Sequence, residues 1–275
     1  MLEIPECLVI ARQLNKTAKN KKILNVRTNT SPHRFAFYFG DPDLYDGFLK
    51  GKIIGGARAI GGMIEVTVED YKMLLGDGVN IRYFDQGDKL PQKHQLHIEL
   101  EDSSSIVCTV QMYGGMWVFK DGQNDNPYYI AAKEKTSPLT EQFDESYFMK
   151  LFKDTKKTAS VKAFLATEQR IPGLGNGVLQ DILFNAGINP KSKINSLSEK
   201  EQKKLFHCIK QTIWDMAENG GRDTEKDLFN ASGGYKTVLS NKTVKSPCPV
   251  CGGTIVRQAY MGGNIYYCPE CQPQK

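Results

Sequence analysis

Two short knuckles near the C-terminus constrain the fold more than anything else in the chain. They are Cys248-Pro249-Val250-Cys251 and, after sixteen intervening residues, Cys268-Pro269-Glu270-Cys271. Each Cys-x-x-Cys turns the backbone tightly enough for two sulfurs to face one ion, and a pair at this separation has the pattern of a Zn²⁺ ribbon. Zn²⁺ takes four thiolates in a tetrahedron. With all four places held by sulfur none is left for water, so the expected ion is structural rather than catalytic. A pair of disulfides is the alternative the spacing leaves open. Between the knuckles, two β-prone runs at 254–260 and 265–267 flank Met261-Gly262-Gly263-Asn264, which predicts a hairpin whose tip points away from the metal.

The remaining length, out of 275 residues, is enough for two further cores. No apolar run approaches a membrane span and the start lacks a secretory pattern, so no membrane partner is expected. Cys7, Cys108 and Cys208 are scattered and odd in number, which reads as reduced thiols in a cytoplasmic protein. Charge is divided unevenly. Residues 1–155 hold 19 Lys and Arg against 21 Asp and Glu, while residues 156–275 hold 17 against 10. A basic C-terminal half fits one surface that meets a polyanion, although Lys200, Lys203 and Lys204 read as a solvated helix face.

In order along the chain, Pro5 and Glu6 suit the first turn of a helix over 5–18. From 22 to 119 the apolar runs are short and punctuated by Gly, Asp and Ser, at spacings typical of a sandwich or barrel. His94 and His97, three apart on a predicted strand, should point to opposite faces and so read as ordinary packing positions. A polar bridge at 122–138 leads into helical periodicity. Within it, Arg170-Ile171-Pro172-Gly173-Leu174-Gly175-Asn176 joins two amphipathic helices. The backbone N–H groups of Gly173 to Gly175, beside Asn176, are suited to gripping a phosphate. Ser198-x-x-Glu201 is a capping box for a long helix that Asn219-Gly220-Gly221 ends. The expected fold class is therefore α+β: a leading helix and β-sandwich over 1–135, a helical module over 136–245 and the ribbon over 246–275.

This order of parts closely resembles the formamidopyrimidine-DNA glycosylase/endonuclease VIII family over essentially the whole chain. The most specific pieces are Glu3-Ile4-Pro5-Glu6, Lys156-Lys157-Thr158, Pro172-Gly173-Leu174-Gly175-Asn176, Ala186-Gly187-Ile188-Asn189-Pro190, Gly234-Tyr235 and Tyr267-Cys268-Pro269-Glu270-Cys271-Gln272. The resemblance implies a helix–two-turn–helix module, binding of damaged double-stranded DNA as a monomer, and excision of a base from a flipped nucleotide. In that chemistry an N-terminal proline amine attacks the sugar C1′, a Schiff base forms, the strand is cut, and the neighbouring glutamate, here Glu3, handles protons. Asn176, Lys156, Lys157, Tyr235 and the backbone of Gly173 and Gly175 would then meet DNA. Met112 and Tyr113 would fill the hole left in the duplex.

The chain departs from that machinery in three places. Leu2 stands where the family has proline, leaving the amine of a retained Met1 as the only N-terminal nucleophile. Gly61, in Ala59-Ile60-Gly61-Gly62, stands where the sandwich lysine is expected, and Gly263 where the tip arginine is expected. Two readings follow: a glycosylase and lyase working through Met1, Leu2 and Glu3, or a catalytically silent protein that binds DNA on the same fold.

Overall fold

The computed structural model describes residues 2–275, so the Met1 amine lies outside the described residues. Helix α1 (Ile4–Thr17) carries proline in its first turn, where a missing N–H costs nothing, and has Glu6 in its first turn and Lys16 in its last, both favourable to the helix dipole. Its buried face, Ile10, Ala11 and Leu14, lies on the sandwich core. Strands β1 (Ile23–Thr28) and β2 (Ala36–Phe37) precede the short helix α2 (Tyr45–Leu49). After it come β3 (Ile54–Ile60), β4 (Met63–Val68), β5 (Tyr71–Gly76), β6 (Val79–Phe84), β7 (Leu96–Leu100), β8 (Ser105–Val110) and β9 (Gly114–Lys120). They form two sheets, ordered β1-β7-β8-β6 and β2-β9-β5-β4-β3. Ile64, Val66, Met73 and Leu75 from one sheet face Ile81, Ile98, Ile106 and Cys108 from the other.

Three features were not legible in the sequence. Strand β5 has no alternation because Met73 to Gly76 are all buried, and its hairpin turn uses Glu69 at φ +51° rather than a glycine. The predicted polar bridge contains helix α3 (Pro127–Glu134), begun by Asn126, whose side chain accepts the N–H groups of Tyr128 and Tyr129. His94 and His97 do not point apart: His94 precedes the strand, so the two rings meet edge to face at 5.6 Å. They serve packing all the same, His97 being hydrogen-bonded to Ser105.

Helices α4 (Glu145–Lys153), α5 (Val161–Ala166), α6 (Asn176–Ala186) and α7 (Glu199–Glu218) enclose a second core. Its centre is aromatic, with Phe143, Phe148, Phe152, Phe164 and Phe206 in mutual contact. The Ser198–Glu201 capping box of α7 forms as its spacing predicts. Strands β10 (Val256–Tyr260) and β11 (Gly263–Tyr267) make the ribbon hairpin, with Gly263 opening the second strand instead of sitting in the turn. The segment after α7 returns to the sandwich: Leu228 lies in its core, and Tyr83 N–H donates to the Leu228 carbonyl at 3.0 Å. The result is an α+β fold of sandwich, two-turn helical module and four-cysteine hairpin.

Candidate active site and nucleic-acid cleft

Helix α1 and helix α6 start at the same place, and Glu3 joins them. Its carboxylate accepts backbone N–H groups from Gly175 at 3.1 Å, Gly177 at 2.9 Å and Val178 at 2.8 Å. Those donors are the unsatisfied first N–H groups of α6, at the positive end of its dipole. The predicted phosphate grip is thus already filled by the protein's own anion. Gly173 contributes a carbonyl instead, which accepts Ile4 N–H at 3.1 Å. The glycines are required by this closeness: a Cβ on Gly177 would come within 1.7 Å of the Arg222 guanidinium, and one on Gly175 within 2.7 Å of the Glu3 carboxyl carbon.

Arg222 completes the cluster and was not found from sequence. Its Nε and Nη2 donate to the two Glu6 oxygens at 2.9 and 2.7 Å, and its Nη1 reaches Glu3 at 3.5 Å. All three side chains are buried. The neighbouring carboxylates push the arginine pKa up against the opposing effect of its burial. The available signal was the i, i+3 spacing of Glu3 and Glu6 on a helix whose neighbours are apolar, since two carboxylates turned into a core require a cation. Arg222→Met leaves both without one. Removing one partner of a buried pair costs about 3–5 kcal/mol, so a fall in thermal midpoint of roughly 6–20 °C is expected by calorimetry.

Leu2 lies at the junction of two cavities. One, of about 600 Å³, runs between the sandwich and the two-turn module and is lined by Leu2, Glu3, Gly62, Asp77, Trp117 and Tyr128 among others. The other, of about 670 Å³, lies under the segment after α7 and is lined by Leu2, Glu6, Arg82, Gln111, Thr224 and Phe229 among others. Leu2 N–H donates to the Asp77 carbonyl at 3.2 Å. A Cβ on Gly62 would lie 3.4 Å from the Leu2 carbonyl oxygen, whereas one on Gly61 would meet Pro172 and Ala132. Gly62, rather than Gly61, is therefore the sandwich glycine that faces the N-terminal segment. Met112, 71% exposed, stands at the tip of the β8–β9 turn with Tyr113 half-buried beside it.

The ribbon docks on α6. Asn176 Nδ2 donates to the Asn264 carbonyl at 2.8 Å, and Gln180 bridges the same carbonyl and the Tyr266 N–H. Gly263 packs directly on the Asn176 amide, with an added Cβ 3.4 Å from its Nδ2. The Asn176 Oδ1 is buried and, among the described residues, has no hydrogen-bond partner. Lys156 and Lys157 are exposed at the start of the two-turn module. Tyr235 is instead packed against the helical core, and Asp181 accepts the N–H groups of Val238 and Leu239. Burial pushes the Asp181 carboxyl up to about 6.

The four ribbon cysteines converge. Their sulfurs all lie within 4.8 Å of one another, with Cys248 and Cys271 at 3.7 Å and Cys251 and Cys268 at 3.4 Å. A tetrahedral thiolate site with bonds of about 2.3 Å puts sulfurs about 3.8 Å apart, so the set fits a single metal ion. No helix is long and apolar enough to cross a membrane.

Comparison with known proteins agrees with this geometry. The formamidopyrimidine-DNA glycosylase H2TH domain matches residues 135–227. Solved structures share the whole fold: Lactococcus lactis Fpg with DNA containing an abasic site, at TM-score 0.84 and 23% identity over 99% of this chain and 100% of that one, is one. MutM with DNA containing carbocyclic 8-oxo-G, at 0.82 and 25% over the same shares, is another. The formamidopyrimidine-DNA glycosylase of Wolbachia pipientis subsp. Culex pipiens (strain wPip) is 30% identical over 280 residues, covering 99% of this chain and 100% of the relative. With full-length relatedness at that level, and the two-turn module and four-cysteine hairpin both in place, the chain belongs to the formamidopyrimidine-DNA glycosylase family.

Proposed function

We propose that this protein binds damaged duplex DNA as a monomer inside the cell and excises an oxidised base from it. The observation that carries the reading is Glu3, fixed at the start of α6 and lining, with Leu2, the cleft between sandwich and two-turn module. Family members with solved structures hold DNA containing an abasic site or 8-oxo-G. Lys156, Lys157 and the second amide hydrogen of Asn176 supply phosphate contacts, and Met112 and Tyr113 occupy the space a flipped nucleotide vacates. Residues 1–135, 136–245 and 246–275 act as the three functional parts, and the ribbon cysteines hold one structural Zn²⁺. The lyase step is weak, because neither a proline amine nor the two phosphate-clamping cations are present. That absence also favours a second reading, a damage-binding protein without chemistry.

Duplex binding separates the contact types. Each neutralised phosphate contributes a slope of about −0.9 to log K against log salt, so Lys156→Ala and Lys157→Ala should each flatten the dependence by about that amount. Asn176→Ala removes an uncharged contact and should weaken binding about fivefold, near 1 kcal/mol, across all sequences with the slope unchanged. Fluorescence anisotropy over a salt series checks this, and salt-indifferent binding contradicts the DNA interface. Release of free base from duplexes bearing 8-oxoguanine, formamidopyrimidine or oxidised pyrimidine decides between the two readings.

A further inference from the structure

Glu3 is held as a fully hydrogen-bonded carboxylate. Three backbone N–H groups and a guanidinium hydrogen-bond its two oxygens, which matches the lone-pair capacity of a carboxylate. A second carboxylate stands in the same cleft with neither restraint. Asp77, in the β5–β6 turn, lines the cavity together with Leu2 and Glu3. Among the described residues its side chain has no hydrogen-bond or ion-pair partner. Its own carbonyl takes the Leu2 N–H at 3.2 Å, which fixes Asp77 beside the nitrogen that would carry the attacking amine in a processed chain. It is held at φ +60°, a left-handed conformation that aspartate tolerates in a turn.

We propose that Asp77 is the general base of base excision in this protein and that excision is hydrolytic, a water molecule taking the place of the N-terminal amine. The inference rests on the base-excision reading above and assigns its nucleophile. Asp77 removes a proton from the water as its oxygen bonds to C1′. The C1′–N bond breaks with its electron pair going to the base nitrogen, and the proton then passes from Asp77 to that nitrogen. Free base and an abasic sugar result, with the phosphodiester backbone uncut and no co-reactant beyond water. Glu3 stays in place as a fixed anion that stabilises positive charge developing on the sugar. Asp77 is exposed at the rim of the cleft, and partial desolvation there raises its carboxyl above the ordinary aspartate range. Burial raises the neighbouring Tyr113 hydroxyl, and the Asp77 charge raises it further.

The test is single-turnover release of 8-oxoguanine and of an oxidised pyrimidine from duplex oligonucleotides. It is read as free base, as strand breaks before and after alkali, and as enzyme trapped on DNA by borohydride. The full-length protein should release base, give strand breaks chiefly after alkali, and leave little enzyme trapped on DNA by borohydride. Asp77→Asn should slow release by about 10²-fold or more while leaving duplex affinity unchanged. Asparagine tolerates the left-handed backbone, so this variant keeps the turn. Asp77→Asn releasing base at the unaltered rate, or borohydride trapping enzyme on DNA in step with base release, overturns the assignment and leaves base excision standing. No base released from either duplex by the unaltered protein overturns the base-excision reading, and this assignment with it.

Discussion

Cys248→Ser will detach the ribbon from the rest of the molecule. Removing one thiolate from the proposed zinc site forfeits much of a metal-binding free energy on the order of 10 kcal/mol, far more than a 30-residue hairpin can replace. The apolar support there is small, consisting chiefly of Leu239, Ile255 and Tyr266 beside the buried sulfurs. The loss extends to the proposed DNA surface, because Asn176 and Gln180 hold the ribbon through the Asn264 carbonyl. Elemental analysis should find one zinc per unaltered chain and little in the variant. Hydrogen exchange should show residues 248–272 unprotected while α4 to α7 stay protected. Chelation should reproduce the variant. Unaltered protein purified without chelator and free of zinc overturns the metal assignment.

Leu2→Pro should have the largest effect on chemistry. Proline after the initiator methionine permits its removal, whereas leucine is too bulky, so the change exposes a secondary amine in place of the Leu2 amide. That nitrogen keeps a hydrogen for the Asp77 carbonyl, which Leu2 N–H meets at 3.2 Å. The amine then stands in the cleft beside Glu3 instead of on a Met1 that precedes it. Placement of this kind is what converts a sluggish bimolecular attack into an efficient one, with reacting atoms held within about 3–3.5 Å. Borohydride-trapped product on a pre-formed abasic site should rise by at least about tenfold, a gain of 1.4 kcal/mol in the barrier. Mass spectrometry must confirm loss of Met1. If the processed variant traps no better while the unaltered protein cuts oxidised bases briskly, strand cleavage runs through other residues.

Much of the architecture was legible because its signals are local. The cysteine spacing, the Ser198 capping box and the glycine-rich turn before Asn176 each dictate their structure within a few residues, and each formed. Strand β5 was illegible because a strand covered on both faces loses its alternation, and helix α3 because its eight residues carry little amphipathic pattern. The site was half legible. Glu3, Asn176 and the cysteines stood in recognisable motifs. Arg222 and Asp77 did not, because what makes them notable is distance in space: 219 residues separate Arg222 from Glu3, and Asp77 meets Leu2 only once the β5–β6 turn folds against it. The glycine-rich turn misled for the same reason, since nothing local reveals that its N–H groups are spoken for by a residue at the start of the chain.

The contact between Gly62 and Gly173 has a mechanical consequence. A Cβ on Gly173 would lie 2.2 Å from the backbone of Gly61 and Gly62, and one on Gly62 would lie 3.2 Å from the Gly173 Cα. At this point sandwich and two-turn module therefore meet main chain to main chain, with the Pro172 side chain beside the contact. The jaw of the cleft has a hard stop, set by atomic radii and not by anything that can flex. A polymer lying across such a stop meets a gauge of fixed width. Compliance must come from the nucleic acid, and sites already softened by a lesion bend into that gauge at lower energy than intact duplex.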